Sequence, residues 1–392
     1  MTSSVLLLAT LETKNEEARY LAQCLQDHDV SVQILDLSLD AGGKILDGPA
    51  KTRAIDETST KALGQVADAL DQGTDAVIGL GGGTSGEIIL KVLRTLPITF
   101  AKVLVTTLPF DPRTAIADNS IILVPTLVDI CGLNATLREV LENAAAMMAG
   151  ICYSRRKAGS CVEYPSIGLT ALGATEGAVG PLITSLKKRG QEATVFHANG
   201  YGGAAFSRFA RIGAFHAIID LTPHEMTRLH LAGAHVPMPD RFTAASALPR
   251  IVLPGALNFI GFGERSLVPP AYLTRPHYEH SGFFTHVQLT PDEMRQMAEK
   301  LASALNVCTG PRALIVPMGG FSHQDRPGGI IESEELRAVF LSVMQEMLCD
   351  EVTVHIRKEH IADQAIIACI IDTLDHLISI ESSNNQTVKR RL

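Results

Sequence analysis

No two of the seven cysteines form a C-x-x-C pair, and no stretch approaches the roughly 18 apolar residues of a bilayer-spanning helix. The cysteines (Cys24, Cys131, Cys152, Cys161, Cys308, Cys349 and Cys369) are scattered and odd in number, a reduced, cytoplasmic pattern rather than a disulfide or zinc framework. A surplus of positive charge is also missing. The formal net charge of −8 argues against an electrostatic grip on nucleic acid or on an anionic membrane. The amino-terminal "MTSSVLLLATLETK" has a five-residue apolar core without a basic flank, and reads as a buried strand rather than a signal peptide. Only the end, "VKRRL", is basic, and the polar stretch 381–392 reads as a solvated tail.

What is present is apolar bulk. With 392 residues, 46% of them hydrophobic, the chain suits two domains of roughly 150–200 residues, and its apolar content favours a homo-oligomer. Short apolar runs alternate with amphipathic helical stretches. In the first half the runs are "VLLLAT" (5–10), "VQILDL" (32–37), "AVIGL" (76–80), "VLVTTL" (103–108) and "IILVPT" (121–126). Several are apolar on both faces, as parallel strands covered by helices on each side must be. A second series is "SIGLTA" (166–171), "TVFHA" (194–198), "AIIDLT" (217–222), "IVLPGA" (251–256) and "HVQLT" (286–290), followed by "ALIVPMGG" and "VTVHIRKEHI". First and second strands start 27 residues apart in one half and 28 in the other, which points to a duplication. The expectation is α/β: two doubly wound, Rossmann-like parallel-sheet domains over 1–155 and 164–380, with a cleft between them. The stretch "YSRRKAGSCVEYP" separates them.

The run "AVIGL" passes through "GGGTSG" into "EIILKVLRTLP", a strand, a turn at its carboxyl end and a helix. The first amides of a helix lack intrahelical partners and carry partial positive charge, so Gly81, Gly82, Gly83, Thr84, Ser85 and Gly86 suit a phosphate or carboxylate. Thr84 and Ser85 would add hydroxyl donors and an N-cap. The alternative is a tight turn whose glycines serve only the backbone. The pattern matches neither G-x-G-x-x-G nor Walker A. Neighbouring turns add polar groups at the same sheet edge: Glu12, Thr13 and Lys14 after the first strand, and Thr107, Asp111, Arg113 and Asp118 after the fourth. Lys14 would neutralise an anion, and Glu12 would act as a base or hold a metal.

In the second half, polar residues gather at strand ends. His197 precedes a glycine-rich turn and suits general acid–base work, or is a histidine satisfied by a carbonyl. Glu225 follows His224, but the next histidine is His230, so the zinc-protease spacing is absent. The segment "PMGGFSHQDRPGG" brings Gly319, Gly320, Ser322, Asp325, Gly328 and Gly329 together, without a G-x-S-x-G elbow. His277, His280 and His286 have irregular spacing, so no metal site is expected.

At "ATLETKNEEARYL", "VIGLGGG" and "VPTLVDICGLN" the chain resembles the ATP-binding family named for the tomato mosaic virus resistance protein, which has many bacterial members of an uncharacterised-protein family. The resemblance continues through "VFHANGYGGAAF", "IIDLTPHE", "VLPGALNF", "LNVCTGPRALIVPMGGFSHQDRPGG" and "HIADQAI". It implies two α/β domains and a nucleotide site in or near the first, with ATP, with or without Mg²⁺, as ligand. The family's G-L-G-G-S-G-G-T would fall on Gly79 to Gly86. The turn after the fourth strand departs from the family's T-V-A-S-G, reading "TLPFD". The functional expectation is a cytoplasmic enzyme of small-molecule metabolism that binds a phosphorylated or carboxylated ligand, with His197, Glu225 and Asp325 as acid–base groups. The competing expectation is a nucleotide-binding module that acts through protein contacts.

Overall fold

The computed structural model describes residues 2–39, 46–158 and 166–389, in two compact units, Met1–Val162 and Glu163–Leu392, each described by itself. Part of the separating stretch, 159–165 with Cys161, and the final 390–392 lie outside the described residues.

The first unit runs β1 (Ser3–Ala9), α1 (Leu11–Asp27), β2 (Val30–Asp36), α2 (Gly48–Asp71), β3 (Ala76–Leu80), α3 (Gly83–Thr95), β4 (Lys102–Thr106), α4 (Pro112–Ile116), β5 (Ile122–Pro125) and α5 (Ala135–Ala158). Its five strands are parallel in the order β2-β1-β3-β4-β5. Strand alternation explains the apolar runs. Val5, Leu7 and Ala9 face one core with α1 and α5, while Leu6 and Leu8 face the other with α2 and α3. Gly79 on β3 admits α3 closely, since a Cβ there would stand 2.3 Å from Ile89 Cγ2. Asn134 accepts from Leu137 N (2.9 Å) and so caps α5.

The second unit runs β6 (Ser166–Ala171), α6 (Glu176–Lys188), β7 (Ala193–His197), α7 (Gly202–Arg211), β8 (Phe215–Asp220), α8 (Glu225–His230), β9 (Arg250–Val252), β10 (Phe259–Phe262), β11 (His277–Ser281), β12 (Phe284–Gln288), α9 (Pro291–Asn306), β13 (Arg312–Pro317), α10 (Glu334–Met347), β14 (Val352–Arg357) and α11 (Gln364–Lys389). Six strands form a parallel sheet ordered β14-β13-β9-β8-β6-β7. Counted from its first strand, this repeats the neighbour pattern of the first unit and adds one strand. α9 starts where Thr290 and Glu293 bond reciprocally (3.2 and 2.9 Å) ahead of Pro291.

One expectation needs correction. The run 286–290 is not a strand of the parallel sheet. Most of it belongs to β12, in a separate antiparallel sheet ordered β10-β12-β11, because the turn between Ser281 and Phe284 folds the chain back on itself. α11 carries the chain through the polar residues 381–389.

A buried charge network fixes the carboxyl edge of the second sheet. Arg241 is fully buried and grips Asp220 at the end of β8 through both terminal nitrogens (2.8 and 3.0 Å) and Glu225 through Nε (2.6 Å). Thr170 donates to Asp220 (2.7 Å), and Gly200 N and Gly203 N donate to Glu225 (3.1 and 2.8 Å). Removing one partner strands the others in low dielectric, where breaking a buried pair costs about 3–5 kcal/mol. Arg241→Met should therefore lower unfolding stability by about that amount. Urea melts should show a lower midpoint at unchanged slope; an unchanged midpoint would mean the network is not structural.

Candidate functional site

In the first sheet the strand order reverses between β1 and β3, and ligands of open α/β sheets bind at the carboxyl ends of the strands at such a point. A cavity of about 500 Å³ lies there, within the usual range for small-molecule sites. Its walls are Thr10, Glu12, Thr13 and Lys14 after β1, Ser38, Leu39, Leu46 and Lys51 around the β2–α2 connection, Gly82, Gly83, Thr84 and Ser85 at the start of α3, Thr107 after β4, and Asp129.

The two helices that meet this edge differ in what their first amides do. At α1 they are already bonded. Leu11 N donates to Asp36 Oδ1 (2.9 Å), Glu12 N to Ser38 Oγ (2.9 Å), and Thr13 N and Lys14 N to Thr10 O (3.2 and 2.9 Å). At α3 the N-cap is Gly82, without a capping side chain, rather than Thr84 or Ser85. The first amide of that turn with an acceptor is Gly86 N, on Gly82 O (2.8 Å). Among the described residues nothing accepts from Gly83, Thr84 or Ser85 N.

The glycines serve different ends. A Cβ on Gly81 would stand 2.5 Å from Ser85 Oγ, so that position closes the turn. One on Gly82 would meet Thr107 Oγ1 at 3.3 Å. On Gly83 it would meet nothing within 4 Å, so protein packing does not explain that glycine. Gly86 is not in the wall, and a Cβ there would make only ordinary contacts, with Gly81 O at 3.6 Å and Phe110 Cε1 at 3.7 Å. Lys14 reaches across to donate to Ile130 O, which holds its ammonium at the wall beside Asp129. Arg113 is not in the wall. It forks onto Asp111 (2.9 and 2.5 Å) and holds that carboxyl down at a pKa of about 2. Leu39, Leu46 and Lys51, from the β2–α2 connection, escaped the sequence reading because they carry no motif.

In the second unit Glu225 and Asp325 are fully buried and occupied. Asp325 accepts from Phe321 N, Ser333 N and Arg337 Nη1 (2.9, 3.0 and 2.6 Å); against those donors burial still pushes its pKa up to about 6. A Cβ on Gly320 or Gly329 would stand 2.1 Å from Asp325 O or Gln324 O, so these two close their own turn, whereas one on Gly319 would stand 2.5 Å from His360 N and so lets the 358–360 backbone approach. A Cβ on Gly328 would meet nothing, but its φ of +81° suits glycine. Ser322 Oγ is buried without a partner. His197 ends β7 with its side chain exposed, and partial burial together with the charge of Arg228 lowers its pKa. His360 N donates to Asp363 (2.9 Å).

His224 and His286 are buried imidazoles on either side of Phe259, with ring centroids at 4.7 and 4.3 Å. Burial, helped by His280 and Arg228, holds His286 down at a pKa of about 3. A free imidazole titrates near 6.5, so the unfolded chain takes the proton first as pH falls. The contribution is whole above about pH 6.5 and is lost toward pH 3, at about 1.4 kcal/mol per unit. Between pH 7.5 and 5.0, His286→Gln should lose about 2 kcal/mol less stability than the parent in urea melts. Equal losses would show that this imidazole titrates normally in the folded protein.

Two family models match the chain: the N-terminal domain of the uncharacterised protein family UPF0261 over 41–157 and its C-terminal domain over 164–378. A UPF0261 protein of Mesorhizobium japonicum is 31% identical over 88% of this chain and 91% of its own length. Another from Rhizobium meliloti is 28% identical over 93% and 98%. The ToMV resistance protein Tm-1(GCR237) of Solanum lycopersicum is 29% identical over 77% of this chain, which spans 41% of that longer protein. No helix among the described residues is long and apolar enough to cross a membrane. With both domain models matched in order along two parallel-sheet units, the chain belongs to the UPF0261 family.

Proposed function

We propose that the first unit binds a phosphate-bearing small molecule, with ATP as the member implied by the family resemblance, and that the chain is an enzyme of small-molecule metabolism. The observation that carries this reading is Gly83: a helix-start amide without an acceptor, on a residue that lines the cavity and whose Cβ would meet no protein atom within 4 Å. Gly83, Thr84 and Ser85 N would hold the phosphate oxygens with the helix dipole behind them. Lys14 and Lys51 supply positive charge in the wall, and Leu39 and Leu46 an apolar surface for the organic part. Glu12 and Asp129 are the carboxylates available to accept a proton or to hold the Mg²⁺ that accompanies nucleotide phosphates. When bound, ATP would supply a transferable phosphoryl group.

A second reading, a nucleotide-binding module acting through protein contacts, is favoured by the relative named as a virus resistance protein. The two readings share the site and differ in turnover: ATP binding without ADP release in the presence of phosphorylated and carboxylated co-substrates favours the module.

Gly83→Val tests the site. A Cβ there meets no protein atom within 4 Å, so stability should change by less than about 1 kcal/mol. Affinity for ATP in calorimetric titration should fall at least tenfold, about 1.4 kcal/mol. Unchanged affinity in the folded variant would overturn the proposal.

A further inference from the structure

Arg228 on α8 is 7% exposed and has no ion-pair partner among the described residues, unlike the buried Arg241 and Arg337. Its nearest carboxylate, Glu225, is already bonded through both oxygens. Glu225 acts on Arg228 only through its charge, while its oxygens are held by Arg241 and by Gly200 and Gly203 N. The imidazole beside it does not compensate. His224 Nδ1 is bonded to Ala256 O (2.8 Å), which makes it the donor and leaves Nε2 to accept from Arg228 Nε (3.4 Å). His224 is therefore neutral.

The surroundings are cut to fit this side chain. A Cβ on Gly200 would stand 3.0 Å from Arg228 Cδ, one on Gly233 3.3 Å from Cγ, and one on Gly261 2.5 Å from Nη2. Of a guanidinium's five N–H donors, Nε uses its one on His224, and Nη1 uses one on Ala234 O (3.0 Å). Five less these two leaves three, one on Nη1 and two on Nη2. Nη2 has no partner, yet it is not among the nitrogens sealed from solvent. The partnerless Nε atoms of Arg250, Arg312 and Arg337 and Nη1 of Arg250 are sealed. Arg228 thus combines a charge that lacks an ion pair among the described residues with an open fork, near the reversal of strand order between β6 and β8.

We propose that the second unit carries a binding site for a small organic carboxylate, whose two oxygens bridge Nη1 and Nη2 of Arg228. A carboxylate fits for two reasons. Its planar pair of oxygens matches the two terminal nitrogens of the fork, and its single negative charge supplies the ion pair that Arg228 lacks. A phosphate dianion would leave net negative charge among neutral imidazoles. The site stands independently of the phosphate site in the first unit.

The test uses the full chain and sodium propionate, acetate and inorganic phosphate at constant ionic strength. Acetate or propionate should raise the melting temperature saturably in the parent and in Gly83→Val, with no such rise in Arg228→Met. Arg228→Lys keeps the charge without the fork and should weaken binding at least tenfold. Should the Arg228 variants fail to fold, hydrogen exchange on the parent decides. Carboxylate should slow exchange in 197–203 and 224–235 and leave 81–86 unchanged. The proposal is overturned by a rise that does not saturate, by one that survives in Arg228→Met or disappears in Gly83→Val, by tighter binding of phosphate, or by protection confined to 81–86.

Discussion

Burial of both faces of both parallel sheets is the constraint on which the rest depends. Strands such as β1 and β3 present apolar side chains alternately to two helical layers, so neither face has room for a polar site. Polar groups are displaced to the strand ends, where the chain turns into the next helix and its first amides come free. In the first unit that displacement leaves one set of amides bonded and one open. β2 ends in Asp36 and Ser38, which bond the start of α1. No side chain comparably caps α3. The open amides therefore face a wall that also carries Lys14 and Lys51.

How much of this was legible in the sequence depends on whether the cause was local. Runs such as "VLLLAT" and "AVIGL" declare buried strands because their apolar character on both faces has no other outlet, and the strand–helix alternation follows. The fate of 286–290 was not local. Its pairing with β10 and β11 comes from the turn before it, and a short apolar run reads alike in either kind of sheet. The glycine turn was recognisable, but its N-cap was misplaced, since Thr84 and Ser85 look like caps until the helix is seen to begin at Gly83. Separating Gly81, which closes the turn, from Gly83, which faces the cavity, requires neighbours that sequence spacing does not reveal. For Glu225 and Asp325, spacing likewise does not reveal the buried guanidinium that each one bonds, Arg241 and Arg337.

The two units handle buried charge differently. The first sets lysines and backbone amides around a cavity. The second seals its carboxylates against arginines, and Arg241 ties the ends of β8 and the β7–α7 turn into one rigid assembly. Sealed networks of this kind hold only when each member is satisfied, because an unpaired charge in low dielectric is costly.

That condition makes the exceptions informative. Arg250, Arg312 and Arg337 keep sealed nitrogens without partners, a cost within the fold that no ligand can reach to relieve. The spare donors of Arg228 are reachable, and three glycines keep its channel clear. Two of those glycines also answer to the backbone, with φ of +97° at Gly200 and +108° at Gly233, while Gly261 leaves room for Nη2. In the first unit no protein atom requires Gly83, yet the position presents a bare amide to a cavity. In both places N–H donors are left without an acceptor from the fold. A bound anion is the simplest agent that would supply one, and each unit places these donors beside the point where its own strand order reverses.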